Sequence, residues 1–336
     1  MTPSMPPVLV ADVGGTNVRF ALAAVDSATP LQKDSIRRHR VADFPSLDAA
    51  AQAYLADIDA RPRRAVFAIA GRIENGEVRA TNSPWRISAE QARRELKLDA
   101  VQLVNDFAAL SMALPLLAAG DVTRIGTPPA PVVGASDAQT FAVVGPGTGL
   151  GVGALLLRDG LFSRLETEGG HCGYAPGTAE EIEILQRLAK RFGHVSNERL
   201  ISGNGLANLH QALADMAGEP PQELSPEQIT QAAQDGSDAL CVRAVEVFCA
   251  VFGAVAGDVA LTLGGWDGVF LAGGLPPLLL PWLHGEAFRR RFEDKGRLSE
   301  PMRDVPTVVI THPDAGLLGA AATAVVDAGG SLLRTR

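Results

Sequence analysis

The residues able to do chemistry in this chain are a few polar side chains set beside glycines. Asp12 opens the run Asp12-Val13-Gly14-Gly15-Thr16-Asn17. Glycine has no Cβ, so a turn made of it lets successive backbone N–H groups converge on an anion such as a phosphate. Thr16 adds a hydroxyl donor. Asp12 adds one carboxylate, which suits Mg²⁺, an ion that takes one or two carboxylates plus phosphate oxygens and keeps its waters. A second run, Gly145-Pro146-Gly147-Thr148-Gly149, repeats the turn, with Val144 where Asp12 stood and Thr148 in the place of Thr16. Gly273-Gly274 follows another apolar stretch. Either turn alone is compatible with an ordinary hairpin, and Asp12 with local N–H satisfaction; the three together point to nucleotide binding.

A second group of polar residues suits a ligand rich in hydroxyls. Asn105-Asp106 ends the apolar run Val101-Gln102-Leu103-Val104 and precedes Phe107-Ala108-Ala109-Leu110. An acid at the C-terminal end of a strand can take a proton from a substrate hydroxyl, although Asn or Asp there is also the preferred helix cap. Glu168-Gly169-Gly170-His171 offers two carboxylate acceptors and an imidazole, enough to clamp neighbouring hydroxyls. Glu198 can add another acceptor, or be a solvated helix residue. Two familiar phosphate loops are excluded. No Lys follows any of these glycines as G-x-x-x-x-G-K-[ST] requires, and the glycines from 145 to 153 run into an apolar strand where a dinucleotide fingerprint needs a helix.

The elements that must hold these groups can be read from periodicity and caps. Val8-Leu9-Val10-Ala11 and Val18 to Ala23 flank the first turn as a hairpin, and the pattern returns about 130 residues later in Phe141–Val144 and Leu150–Leu156. Such a recurrence implies a duplicated domain, since solenoid periods are far shorter. Buried strands are predicted over 64–71, 101–104, 268–272 and 307–310. Ser88 with Gln91, Thr178 with Glu181 and Ser225 with Gln228 resemble capping boxes. A long apolar helix is predicted over about 238–263 and a last one over about 314–326. Residues 121–140 and 217–226, rich in Pro, Gly, Ser and Ala, read as loops. Alternating strands and helices make this an α/β protein with covered sheets.

Composition narrows the class further. With 336 residues, 46% of them hydrophobic, the chain has material for two domains. A net charge of -8 argues against a nucleic-acid partner, which needs a basic face. The apolar stretch from Val247 to Gly264 is broken by Asp258, so no membrane span is expected, and the N-terminus lacks the basic-then-apolar order of a leader, making the cytoplasm the expected location. Cys172, Cys241 and Cys249 are an odd count without a CxxC pair, so neither a disulfide framework nor a zinc knuckle is expected, and the last two read as core residues.

Taken in order, Asp12–Asn17, Leu103–Phe107, Gly145–Gly151, Glu168–His171, Ser196–Gly203, Phe270–Gly274 and Phe292–Arg297 resemble the bacterial glucokinase family of the hexokinase and actin-like ATPase superfamily, over about residues 8–325. The resemblance implies two ribonuclease H-like α/β domains around a cleft, about 1–105 and 106–336, with the helix near 314–328 returning to the first. It implies ATP with Mg²⁺ as phosphoryl donor, D-glucose as acceptor and a homodimer. Asp106 would be the base, and Asn105, Glu168, His171, Glu198 and Asn82 would bind the sugar. Asp12, Gly14, Gly15, Thr16, Asn17, Thr148, Gly149, Gly273 and Gly274 would hold the nucleotide, with Asp12 nearest the metal. The related repressor and kinase group carries a zinc cluster; here His171-Cys172-Gly173-Tyr174 lacks its further cysteines, so no zinc is expected. A kinase for fructose, mannose or an amino sugar, or a non-catalytic sugar or ATP sensor, remains the alternative. Direct transfer favours a cleft that closes over the sugar to exclude water.

Overall fold

The computed structural model describes residues 5–79, 84–220 and 222–333. Strand β1 (Val8–Val13) turns through Gly14 to Thr16 and returns as β2 (Asn17–Ala23), followed by β3 (Leu31–Arg40). Helix α1 (Leu47–Asp57), capped by the Ser46 side chain on Ala49 N, leads to β4 (Arg64–Ile69). A small antiparallel sheet of β5 (Ile73–Glu74), β6 (Glu77–Arg79) and β7 (Arg86–Ser88) precedes α2 (Ala89–Glu95) and β8 (Ala100–Asn105). The first main sheet has the order β3-β2-β1-β4-β8, with β1, β4 and β8 parallel and β2 and β3 antiparallel to their neighbours.

Helix α3 (Asp106–Ala113) carries the chain to β9 (Val122–Ile125), β10 (Ala138–Pro146), β11 (Leu150–Arg158) and β12 (Leu161–Glu166). Four helices follow: α4 (Ala179–Phe192), α5 (Gly203–Ala217), α6 (Pro226–Asp235) and α7 (Ala239–Leu263). Then come β13 (Gly268–Leu271), α8 (Leu280–Leu283), α9 (Glu286–Glu293), α10 (Ser299–Arg303), β14 (Thr307–Ile310) and α11 (Ala315–Asp327). The second sheet, β12-β11-β10-β13-β14-β9, repeats the order and directions of the first and adds β9 antiparallel at its edge. The hairpin recurrence is therefore a repeat of the whole sheet. Each hairpin continues into an edge strand, β3 in the first sheet and β12 in the second, and α3 follows β8 as α11 follows β14.

Side-chain alternation along β1 shows how the layers pack. Val8 and Val10 join a cluster with Phe141, Val143, Phe270 and Val308 of the second sheet and Leu110, Met112, Leu317 and Ala321 of α3 and α11. Leu9, Ala11 and Val13 point the other way, into a cluster with Ala50, Ala51 and Tyr54 of α1. At about 1.5–3 kcal/mol for a buried large apolar side chain, the cluster joining the two sheets is a major source of stability. Helices α3 and α11 pack on each other, and α11 also lies on β1, β2 and β4. They can approach closely because residue 319 is glycine; a Cβ there would collide with the Ala109 carbonyl.

Some expectations need correction. The stretch 121–140 is not all loop, because Val122-Thr123-Arg124-Ile125 pairs with β14; a four-residue edge strand among prolines gives little periodic signal. Helix α7 is long and apolar enough to cross a membrane by length and composition, despite Asp258. Most of its apolar stretch is buried under α5, α6 and α9, as in the core helix of a large domain. Of the three capping boxes only Ser225 with Gln228 closes in both directions. Ser88 and Thr178 cap their helices, but Gln91 turns to Asp48 and Glu181 to Tyr174, Gly177 N and Arg291.

Candidate active site

Asp106 stands where β8 becomes α3. The cap is supplied by Asn105, whose Oδ1 accepts from Phe107 N and Ala108 N, both at 3.0 Å, while its Nδ2 donates to Gly71 O at 3.4 Å. Capping with Asn105 leaves Asp106 at the first helical position, where its Oδ1 also accepts the Phe107 N–H at 3.0 Å. Burial, then the charges of Asp12 and Glu168, push the Asp106 carboxyl up to about 7 against the opposing backbone N–H groups. A carboxyl poised there matches a proton acceptor working near neutral pH.

Phe107 fixes this helix start to the second hairpin. A Cβ at position 151 would collide with the Phe107 ring, and one at 145 would lie 2.7 Å from its Cζ and 2.6 Å from Ala272 O. Gly145 and Gly151, which read as part of a phosphate turn, are thus required by an aromatic ring. The turn itself is closed by Gly147 N donating to Gly149 O, and Gly203 N, at the start of α5, donates to Gly147 O, each at 2.8 Å. Glu198 is no loose surface charge: its Oε2 accepts the Leu150 N–H at 2.9 Å, and a Cβ at 149 would lie 2.5 Å from that oxygen.

Glu168 and His171 sit at the ends of one 3-10 turn, Gly169–His171, with His171 Nε2 3.9 Å from Glu168 Oε2. Both side chains are about half exposed, at 50% and 58%. The turn lies flat on β11 because Gly170 leaves room for the Leu150 carbonyl, and Thr167 Oγ1 ties it to Val152 O at 2.8 Å. Asn105, Asp106, Glu168, His171 and Glu198 converge on one cavity of about 270 Å³, together with Gly14, Gly15, Gly71, Thr148 and Gly149.

A neighbouring cavity of about 340 Å³ is lined by Asp12, Arg19, Gly274, Thr311, His312 and Gly316. Asp106, Phe107 and Gly273 line both cavities, so Asp106 stands at their junction. Asp12 pairs with Arg19 at 3.3 Å, and Arg19 Nη1 also donates to Pro313 O at 3.3 Å. Gly316, in the first turn of α11, lets that carboxylate approach; a Cβ there would lie 2.7 Å from it. Burial first, and the charge of Asp314, raise the Asp12 carboxyl, with Arg19 and Arg38 opposing. Thr16 and Asn17 stand at the exposed hairpin tip, where Asn17 O accepts Gly14 N at 3.0 Å, and neither is among the cavity-lining residues. Asn82 lies outside the described residues.

Phe107, Arg19 and Gly316 also shape the site, although residue type alone does not mark them. Arg19 was within reach, because in the hairpin it is the direct cross-strand partner of Asp12. Nothing local marks Gly316. A hollow of about 430 Å³ elsewhere, among α4, α7 and α9, holds none of the candidates; Arg243 there is paired with Glu180 and Glu246, and Arg291 with Glu181.

Two sheets of one strand order, joined through α3 and α11, with Asp106 at the junction of two adjoining cavities, mark a sugar kinase of the actin-like ATPase class. The sequence model of the glucokinase family matches residues 9–326. A glucokinase of Stenotrophomonas maltophilia is 53% identical over 328 residues, 96% of each chain. The crystal structure of a glucokinase from an Antarctic psychrotroph is 35% identical, covers 95% of this chain and 98% of its own, and superposes with a TM-score of 0.82. A ROK family glucokinase from Streptomyces griseus, solved in complex with glucose and AMPPNP, shares the fold at 18% identity and a TM-score of 0.63, over 94% of this chain and 98% of its own. The chain belongs to the glucokinase family.

Proposed function

We propose that this glucokinase passes the γ-phosphoryl group of ATP directly to the 6-hydroxyl of D-glucose, with Asp106 accepting the hydroxyl proton. The observation that carries the reading is the place of Asp106 at the junction of the two cavities, with its carboxyl pushed up to about 7. As the sugar oxygen bonds to phosphorus, the bond from phosphorus to the β-phosphate oxygen breaks, ADP leaves, and the proton rests on Asp106. No phosphoenzyme is needed, because alignment and charge stabilisation are the main demands of the step.

The sugar belongs in the cavity of Asn105, Glu168, His171 and Glu198, whose acceptors and imidazole can clamp adjacent hydroxyls; Asn82 is assigned with them from its sequence motif. The Streptomyces griseus relative, which holds glucose and AMPPNP together, supports adjacent acceptor and donor subsites. The phosphates belong against Gly14, Gly15, Thr16, Asn17, Thr148, Gly149, Gly273 and Gly274. Glu198, by fixing the Leu150 N–H, also holds the second turn in shape. Mg²⁺ would be held at Asp12, the carboxylate of the donor cavity, where Asp314 adds a second negative charge and the paired Arg19 would have to yield or share. Bound with ATP, that ion would screen phosphate charge. The family resemblance implies a cytoplasmic homodimer with no zinc, since His171-Cys172-Gly173-Tyr174 lacks the further cysteines of the related group's cluster; light scattering on the purified protein tests the oligomer.

The test is ADP release from MgATP with glucose, with a no-sugar control and a panel of fructose, mannose and glucosamine. Glucose is expected to be preferred, and Asp106→Ala to lower turnover by roughly 10²–10⁴-fold with sugar binding retained. Release without sugar, or a fully active Asp106→Ala, would overturn the assignment.

A further inference from the structure

Away from the cleft, His210 of α5 is 1% exposed, and its Nε2 is buried without a hydrogen-bond partner. A polar ring nitrogen in such a place normally has a partner, because desolvating it unpaired is unfavourable. The neighbouring groups are of types able to ligate a metal. Asp238 caps α7, its Oδ1 accepting from Leu240 N at 2.8 Å and Cys241 N at 3.0 Å, and Cys241 lies fully buried in the first turn. One ligand atom from each of His210, Asp238 and Cys241 lies within 4.8 Å of the others.

We propose that His210, Asp238 and Cys241 form a binding site for a thiophilic divalent transition-metal ion, with Zn²⁺ the best match. Imidazole nitrogen, thiolate sulfur and carboxylate oxygen are the three donor types zinc uses, and a water completes the tetrahedron. Asp238 is only partly buried and follows the exposed Gly236 and Ser237, which gives the ion an entry and the water a place. Burial favours the neutral, ligating form of His210, while the charges of Asp238 and Glu219 pull the other way and make the surroundings electronegative. On binding, the Cys241 thiol releases its proton to solvent, the ion takes its place, and no electron moves. The ion ties α5 to α7, and α5 is the helix whose first N–H supports the second glycine turn. None of the three residues lines the catalytic cavities, so the site does not depend on the catalytic reading.

The test uses the full-length chain with Cys172→Ser, which removes the one exposed cysteine. Co²⁺ is titrated and the thiolate-to-metal charge-transfer absorption recorded; after equilibration with Zn²⁺ and desalting, bound metal is measured by elemental analysis. The expected result is one ion per chain and a thiolate band. Both should be lost on adding Cys241→Ser, and binding weakened at least about tenfold by His210→Gln. Because Asn is as good a helix cap as Asp, Asp238→Asn keeps the fold while removing a charged ligand, and it too should weaken binding at least about tenfold. No retained metal and no thiolate band in Cys172→Ser, or a band that survives Cys241→Ser, overturns the proposal.

Discussion

Replacing Asp106 by Asn should inactivate the enzyme and stabilise it, by an amount that grows with pH. The folded carboxyl sits at about 7 against 3.8 for an ordinary aspartate. Between those values the unfolded chain has released the proton that the folded chain still holds, so native stability from this group is full below 3.8 and is lost as pH rises through about 7. A difference of about three units sets a ceiling of roughly 4 kcal/mol. Water in the open cavities screens the charge, and on the order of 2 kcal/mol is the expected size. Asn cannot ionise, yet its oxygen can accept the Phe107 N–H as Asp106 Oδ1 does. Urea unfolding of both proteins without ligand should show little difference near pH 4 and a more stable Asp106→Asn near pH 8.5, while its turnover is down by roughly 10²–10⁴-fold. A stability gap that is the same at both pH values would refute the idea of a carboxyl raised by burial and by Asp12. Wild-type turnover in the variant would remove Asp106 from the reaction.

The same carboxyl should give kcat/KM an acid limb, with activity rising as pH increases through about 7 and Asp106 ionises; a flat profile from pH 5.5 to 8 would contradict it. Gly151→Ala should force Phe107 out of place, costing about 1–3 kcal/mol and lowering kcat more than a neutral surface change does; unfolding curves and initial rates check both. Glu198→Gln keeps an acceptor for the Leu150 N–H while Glu198→Ala does not, so the Ala variant should lose roughly 1–3 kcal/mol more stability and the Gln variant should mainly raise the KM for glucose. Small-angle scattering should show a smaller radius of gyration with glucose than without, and equal values would count against closure.

Much of the fold was legible because hairpins, caps and strand periods are decided by near neighbours. Gly14 N to Asn17 O, Asn105 capping α3 and Ser225 with Gln228 are bonds between residues at most three apart. The recurrence of a glycine hairpin implied a duplication, and Asn105-Asp106 at a strand end marked a candidate base. Glu168 and His171 were within reach too, because they share one turn.

Contacts between distant segments were not legible, since strand order and helix packing decide them. The parallel alignment of β10 with β13, and the docking of α3 on β11, bring Phe107 against Gly145 and Gly151 and Asp106 between two cavities. The return of α11 to the first sheet brings Gly316 to Asp12, and the packing of α5 on α7 brings His210 to Asp238 and Cys241. The sequence alone determined which groups can accept a proton, contact a phosphate or ligate a metal, because that is covalent chemistry. Which of them meet, how deeply they are buried and therefore at what pH they titrate were decided by tertiary structure, because desolvation and charge act through space and not along the chain.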